Sequence, residues 1–196
     1  IKALFLSNNK MTGQLPAWSN AVNMTHLFLG TRYDNDGTWS GSIPSEWNNM
    51  TQMAWFSLET GTVYDSSVGT TVPNSDLTGT VPEWTSWVDL RYYETTGHSA
   101  LDHKFPGYLF MDSYKNDQLH TLDIGNSGVS GMLPKKTYNI SGLSVLGVTD
   151  NQMTGDVPAA FVTDAAIIQL NLRDGNFDGT MADIEGSRLR WVNAQN

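Results

Sequence analysis

The chain contains no cysteine, few charged residues and no long apolar run. Without cysteine it has neither a disulfide scaffold nor a thiol nucleophile. Eleven Lys and Arg against twenty Asp and Glu form no basic run, which argues against nucleic acid and anionic membrane as partners. No apolar stretch approaches the roughly 20 residues that cross a bilayer, so we expect no direct membrane insertion in this segment. With 39% hydrophobic and 11% aromatic residues, the 196-residue chain still has ample material for a core.

Motifs of the common hydrolases and phosphate-binding proteins are also missing from the sequence. It contains no GxSxG, no HExxH and no glycine-rich phosphate loop, so we expect no catalysis and no cofactor. Asp34 and Asp36, followed by Gly37, could supply calcium ligands, but their spacing is not that of an EF-hand loop. A polar turn explains these residues equally well, and we expect no metal site.

A Gly-x-x-Pro motif recurs along the whole chain, with an apolar residue before each proline. Its five full copies are Gly13–Pro16, Gly41–Pro44, Gly79–Pro82, Gly131–Pro134 and Gly155–Pro158. An apolar triplet of the form LxxLxL precedes each copy, as at Leu143, Leu146 and Val148. The triplets divide the chain into frames with a basal period of about 24 residues. The predicted frames are 1–23, 24–49, 50–86, 87–118, 119–142, 143–166, 167–188 and a partial frame 189–196.

This pattern, LxxLxLxxNxLxGxIP, resembles that of plant-type leucine-rich repeats over all 196 residues. The resemblance implies an α/β repeat solenoid with a parallel β-sheet on its concave face. Short 3₁₀ or irregular segments are expected on the convex face, with little true α-helix. We expect the frames to form a single solenoid over residues 1–196. Because both ends stop inside the repeat register, we also expect the chain to be a piece of a longer one.

Frames two, three and four are longer than the others between the strand and the Gly-x-x-Pro motif. Their expected insertions of about five, seventeen and four residues fall at one register and would project side by side from one rim. Repeat proteins often bind partners through such loops, although insertions also accumulate in any exposed turn.

Residues that alternate with the apolar triplet are predicted to line the concave face. Among them, aromatic residues of the first four frames, with one His and one Arg, form a candidate ligand-binding patch, since such side chains dominate binding hot spots. Alternatively, the rim loops fold over these rings and bury them as a small secondary core. The candidate residues are Phe5, His26, Phe28, Phe56, Arg91 and Tyr93.

Three N-glycosylation sequons begin at Asn23, Asn49 and Asn139. Asn23 and Asn49 each directly precede the first apolar residue of a predicted frame, an equivalent place on successive turns. A glycan could project outward there, which favours a secreted or cell-surface protein.

The outer segments favour tryptophan where leucine is usual in plant-type repeats. Together with Val129–Pro134, the segments Pro16–Trp18, Pro44–Met50 and Pro82–Trp84 resemble the repeats of the promastigote surface antigens of kinetoplastid parasites. That resemblance implies an extracellular adhesion protein, secreted or membrane-anchored through other sequence, that contacts glycoproteins.

These observations lead us to expect an extracellular module that binds a protein or glycoprotein through its concave face and rim loops. One alternative is a structural subunit of a surface coat or filament that self-associates end to end through its solenoid ends. A second is ice binding, for which the sequence offers an interrupted ladder of small polar residues. The ladder consists of Thr12, Ser40, Thr78, Asp102, Ser130, Thr154 and Asp178.

Overall fold

The computed structural model describes residues 1–31, 37–65, 67, 70–73, 75–113, 117–136, 141–163 and 166–195. Within these residues the secondary structure consists of short strands with very little helix. The strands are β1 (Ala3–Phe5), β2 (Gly13–Gln14), β3 (His26–Phe28), β4 (Trp39–Gly41), β5 (Trp55–Ser57), β6 (Thr62–Asp65), β7 (Thr70–Pro73), β8 (Asp76–Leu77), β9 (Gly79–Thr80), β10 (Tyr92–Glu94), β11 (Leu101–Lys104), β12 (Thr121–Asp123), β13 (Val129–Gly131), β14 (Val145–Gly147), β15 (Gln152–Met153), β16 (Gln169–Asn171) and β17 (Trp191–Asn193).

One strand from each repeat contributes to an eight-stranded parallel sheet, in the order β1-β3-β5-β10-β12-β14-β16-β17. The middle residue of each strand points into the solenoid, and its two neighbours point to the concave face, because side chains alternate along a strand. The middle residues of six successive strands are wholly buried and aligned in register: Leu27, Phe56, Tyr93, Leu122, Leu146 and Leu170. This architecture confirms the leucine-rich-repeat solenoid expected from the sequence.

Two smaller parallel sheets, β2-β4-β8 and β9-β11-β13-β15, form where the chain leaves the concave strand and turns outward. The Gly-x-x-Pro glycines lie there with left-handed backbones, for example at φ 105° in Gly13 and 102° in Gly131, which glycine adopts without a Cβ penalty. The convex side carries 3₁₀ turns at Ser45–Asn49 and Gly107–Phe110 and a single α-helical turn, α1, at Ala159–Val162. Strands β6 and β7 form a separate antiparallel hairpin within frame three.

Side chains from the turn after each strand satisfy the buried carbonyl at the strand end, and their chemistry varies from repeat to repeat. Asn151 donates through Nδ2 to the carbonyls of Ile124 and Val148, at 2.8 and 3.0 Å. In other repeats the donor to the equivalent carbonyl is Asn9, Trp39, His98 or Ser127. A buried carbonyl without a partner is costly, so four residue types serve one structural need.

The register of frames three and four differs from the one expected. The sequence pattern placed Met50, Met53 and Trp55 in the core of frame three, but the strand positions that face the core are Met53, Phe56 and Leu58. Frame four is shifted in the same way, with Leu90, Tyr93 and Thr95 inward instead of Trp87, Leu90 and Tyr92.

The cause of this shift is the length of the convex turn. Leu143 lies nine positions after Pro134, whereas the expected register placed Trp87 only five positions after Pro82. Trp87 instead belongs to the convex layer, where its ring stacks on Trp84 at 4.3 Å and its Nε1 donates to the carbonyl of Trp47. The shift also changes frame four: Thr95 lies eight residues before His103, so most of its extra residues follow Pro106 on the convex side instead of projecting from the rim.

Candidate functional site

The concave sheet presents two columns of side chains, one on each side of the buried middle residue. The first column runs Ala3, His26, Trp55, Tyr92, Thr121, Val145, Gln169 and Trp191. The second runs Phe5, Phe28, Ser57, Glu94, Asp123, Gly147, Asn171 and Asn193. The face is therefore aromatic over its first four repeats, acidic at its centre and mostly polar beyond.

Five rings of the first four repeats form two neighbouring stacks, which we together call the aromatic row: Phe5, His26, Phe28, Trp55 and Tyr92. Phe5 stacks on Phe28 with ring centroids 5.1 Å apart. In the other column Trp55 is flanked on both sides, by His26 at 6.0 Å and by Tyr92 at 5.7 Å. Each pair is near the optimum spacing for offset stacking and adds about 0.5–1.5 kcal/mol beyond burial. These contacts hold the rings in place before any ligand arrives.

The aromatic row contains part of the patch expected from the sequence. Phe5, His26 and Phe28 lie on the concave face, and Phe5 is 63% exposed. Arg91 is exposed and directly precedes β10. The expectation that Phe56 and Tyr93 reach this face is wrong, because both are wholly buried in the core.

Trp55, Tyr92 and Glu94 were not expected on the concave face. They lie on the strand positions that face the groove, where the expected register had placed Phe56 and Tyr93. A signal for them was present in the spacing from each proline to the first apolar residue of the next triplet, which is eight or nine positions in the regular frames. Applied to frames three and four, that spacing moves the strands three residues forward and exposes Trp55 and Tyr92.

Carboxylates lie beside the aromatic row, and Glu94 is held by its neighbours. Ser57 Oγ donates to Glu94 Oε2 at 2.7 Å and Tyr92 Oη donates to the same oxygen at 3.0 Å. Burial, together with the charge of Glu94, raises the pKa of the Tyr92 hydroxyl. Only these two groups among the described residues donate to the Glu94 carboxylate, and no described residue forms an ion pair with it.

Asp123 continues this acidic strip on the next strand. Burial, followed by the charges of Glu94 and Glu59, raises the pKa of its carboxyl to about 6, although the Gly125 backbone N–H donates to it at 3.3 Å. A Cβ on Gly147 would lie 2.7 Å from Asp123 Oδ1, so a glycine on the adjacent strand leaves the carboxylate room. No described residue forms an ion pair with Glu94 or Asp123, so the centre of the face is acidic.

A pocket of about 180 Å³ opens on the concave face at the junction of the aromatic row and the carboxylates. Ser57 lies at its centre, between Phe28 on one neighbouring strand and Glu94 on the other. Tyr92 and Glu59 also line the pocket. The small serine side chain explains the depression, because its neighbours in the same column are much larger.

Of the remaining expected sites, two glycosylation sequons begin within the described residues. Asn23 and Asn49 are exposed at the chain segments that precede β3 and β5, whereas Asn139, Asp34 and Asp36 lie outside the described residues. Over the part of the chain that the structure describes, no group of three metal-ligating side chains is found. Among those same residues, no helix is long and apolar enough to cross a membrane.

Comparison with known proteins places the fold among plant leucine-rich-repeat ectodomains. No protein family model matches the chain. Receptor-like protein 18 of Arabidopsis thaliana is 25% identical over 98% of this chain, which spans 20% of that protein. A plant peptide hormone receptor, RGFR1, solved in complex with RGF2, superposes with a TM-score of 0.69 at 20% identity, covering 98% of this chain and 28% of the receptor. A plant ice-binding protein superposes with a TM-score of 0.65 at 19% identity, covering 98% of this chain and 56% of that protein.

These matches show that the chain has the plant-type leucine-rich-repeat ectodomain fold. The chain spans between a fifth and about half of the length of each matched protein. All three matched proteins are from plants, so the resemblance to kinetoplastid surface antigens gains no support from them. At these identities the structural likeness concerns the fold alone.

Proposed function

We propose that the chain is an extracellular recognition module that binds a protein or peptide ligand in its concave groove, without catalysis. The observation that carries the proposal is the aromatic row, whose rings remain partly exposed on a preformed surface. Trp55, 38% exposed, is stacked from both sides, so it loses little conformational freedom on binding. Rigid aromatic side chains of this kind dominate binding hot spots.

The comparisons support this proposal at the level of fold. One neighbour, RGFR1, was solved with RGF2, and another, the Arabidopsis receptor kinase HAESA, was solved with a peptide hormone ligand. We infer the same general mode here, with a polypeptide lying across the strands of the first four repeats. We propose further that Arg91 and the insertions expected in frames two and three extend this contact, and that the ligand is a protein, a peptide or a glycoprotein.

The extracellular location is part of the proposal. Asn23 and Asn49 are exposed, and each lies outside the concave groove, so glycans at both positions are compatible with ligand binding. Glycosylation at Asn139 is proposed on its sequon alone.

Neither alternative function has an observation of equal weight. The ladder considered for ice binding is interrupted by Asp102 and Asp178, which are both exposed and carry charge where a flat row of threonines would be needed. End-to-end self-association into a coat or filament depends on the edge strands β1 and β17, each of which is only three residues long.

A display experiment tests the proposal directly. Peptides are selected from a random library on the immobilised chain, and their affinity is then measured for a Phe28→Ala, Trp55→Ala double variant. We expect at least about a tenfold loss, because two hot-spot rings are removed. The matched control is Trp191→Ala, which removes a ring that is 45% exposed on the same face but at the far end of the sheet.

The proposal predicts that Trp191→Ala leaves the affinity within about twofold of the wild type. Equal binding of the selected peptides to the wild type and the double variant, with the thermal unfolding of both unchanged, would show that the aromatic row is not the ligand site.

A further inference from the structure

We propose that the pocket around Ser57 is a subsite for a guanidinium group, so that the ligand contributes an arginine side chain there. The inference rests on the proposed function, since it names the chemistry of one ligand side chain. Four features of the pocket carry it: its size, its buried carboxylate, its aromatic wall and its acidic lining.

The pocket has the size of one compact planar group. Its volume of about 180 Å³ is comparable to an engineered protein cavity of about 150 Å³ that accommodates benzene. A guanidinium with its last methylene groups is of similar size. The pocket opens onto the concave face, so a side chain can enter it from a polypeptide lying across the strands.

The carboxylate of Glu94 is unusual because it is only 7% exposed and yet lines an open pocket. Both of its hydrogen bonds from described residues, from Ser57 and Tyr92, end on Oε2. They fix the orientation of the carboxylate and leave Oε1 without a donor among the described side chains. A cationic side chain that enters the pocket can pair with this oxygen, and such a charge-assisted hydrogen bond is roughly twice as strong as a neutral one.

The electrostatic surroundings select for positive charge. Glu59 lines the same pocket, and Asp123 follows Glu94 on the adjacent strand. Burial is the largest cause of the raised pKa of the Asp123 carboxyl, and the charges of Glu94 and Glu59 add to it; a bound cation would offset those charges. No described Lys, Arg or His forms an ion pair with Glu94 or Asp123.

The aromatic wall favours arginine over lysine. Phe28 and Tyr92 both line the pocket, and a planar guanidinium stacks against such rings while its N–H groups reach a carboxylate. An ammonium group is more strongly hydrated and loses more when it is transferred into a site of this kind. We therefore expect a preference for arginine.

The test uses acetyl-arginine amide as the probe, followed by NMR chemical-shift titration of the backbone amides of Ser57, Tyr92 and Glu94. We expect a saturable response at these amides and at least about a tenfold weaker response to acetyl-citrulline amide, which has the same shape without charge. Acetyl-lysine amide should fall between the two. Equal affinities for the arginine and citrulline probes would overturn the proposal.

Variants locate the site. Glu94→Gln retains an oxygen that can accept from Ser57 and Tyr92 but removes the charge, so it should weaken acetyl-arginine amide binding by about tenfold. Glu46→Gln, an exposed carboxylate on the convex 3₁₀ turn, is the matched control and should leave binding unchanged. If Glu94→Gln impairs folding, Glu59→Gln at the same pocket replaces it and should weaken binding by about threefold or more.

Two outcomes separate this inference from the proposed function. Peptides that bind through Phe28 and Trp55 but are insensitive to Glu94→Gln would overturn the guanidinium subsite and leave the recognition function standing. Binding of acetyl-arginine amide that depends on Glu94, in a chain that selects no peptide through the aromatic row, would support the subsite and contradict the wider proposal.

Discussion

His98 occupies the position at which the repeat usually places asparagine. Its Nε2 donates to the buried carbonyl of Leu58, so the neutral ring accepts at Nδ1 from Ser75 Oγ, which lies 2.7 Å away. Burial lowers the pKa of His98 to about 4, and burial together with the proximity of His98 lowers that of His103 to about 4. The imidazole thus donates to the buried carbonyl as an asparagine amide would. Unlike an amide, it can also be protonated.

That titration predicts an acid-sensitive fold. The pKa of an unfolded histidine is about 6.5, so between pH 6.5 and 4 the unfolded chain binds protons that folded His98 and His103 do not. Stability is therefore greatest above pH 6.5 and falls as the pH decreases towards 4. His98→Asn should remove one of the two contributions and reduce the slope of the free energy of unfolding by roughly 1 kcal/mol per pH unit in that interval.

Urea unfolding at several pH values between 4.5 and 7.5 measures this slope. Asp123 acts in the opposite direction, because its raised pKa makes the folded state bind a proton earlier, but it is present in both proteins and cancels in the comparison. His120→Asn, which changes an exposed histidine, is the control and should leave the slope as it is in the wild type. An unchanged slope in His98→Asn would show that the protonation of His98 is not linked to unfolding.

At the scale of strands and turns, the repeat pattern was sufficient to predict the fold. Backbone geometry requires glycine at the left-handed position and favours proline in the return segment that follows it in each Gly-x-x-Pro motif, so the recurrence of this motif identifies the solenoid. The concave face was only partly predictable. Trp55 and Phe56 are adjacent and both aromatic, as are Tyr92 and Tyr93, so hydrophobicity alone could not decide which ring of each pair enters the core.

The acidic pocket was less predictable still. It depends on Ser57 and Glu94, which belong to different frames and become neighbours only through strand pairing. Nothing in the local sequence indicates that a glutamate on a concave strand will be almost fully buried and held by a serine 37 residues away. Such a contact can be derived only after the register of both frames is known.

We expect the solenoid to remain folded when the hairpin of β6 and β7 is removed. Its strands pair with each other, and neither strand joins the parallel sheets within the described residues. Replacing residues 62–73 with a short Gly-Ser linker should change the free energy of unfolding by no more than about 1 kcal/mol, because loop-closure entropy varies slowly with length.

Thermal unfolding followed by circular dichroism checks this expectation, since 1 kcal/mol corresponds to about 2–4 °C in Tm for a chain of this size. The linker variant also shows whether the hairpin takes part in recognition, by its affinity for the peptides selected on the wild type. A loss of more than about 10 °C would mean that the hairpin packs against the solenoid and stabilises it.

Over the whole molecule, the net charge of -9 and the acidic centre of the groove act in the same direction. Acidic surfaces accelerate the approach of basic partners and disfavour the association of two copies of the same chain. The recognition proposal and the arginine subsite therefore agree with the overall charge, whereas end-to-end self-association has to overcome it.

The final prediction concerns the oligomeric state, which separates recognition from filament formation. The open edges of the large sheet are β1 and β17, each three residues long. Pairing of one edge with the other in a second copy would form about three backbone hydrogen bonds, each contributing about 0.5–1.5 kcal/mol, against an association cost of about 4–15 kcal/mol. Apolar side chains at the edges, such as Ile1 and Val192, would have to supply the rest against like charge.

We therefore expect sedimentation velocity to show a monomer. Its sedimentation coefficient should be independent of protein concentration from roughly 1 to 100 μM, a range in which any contact stronger than a weak one would associate. The measurement is repeated in high salt, which screens the repulsion between copies and so gives stacking its best opportunity. A coefficient that rises continuously with concentration would favour a filament, because contact between two different ends does not close and adds subunits without limit. Arg190→Glu, at the β17 edge, would then be expected to alter that growth, whereas Glu46→Gln on the convex side would not.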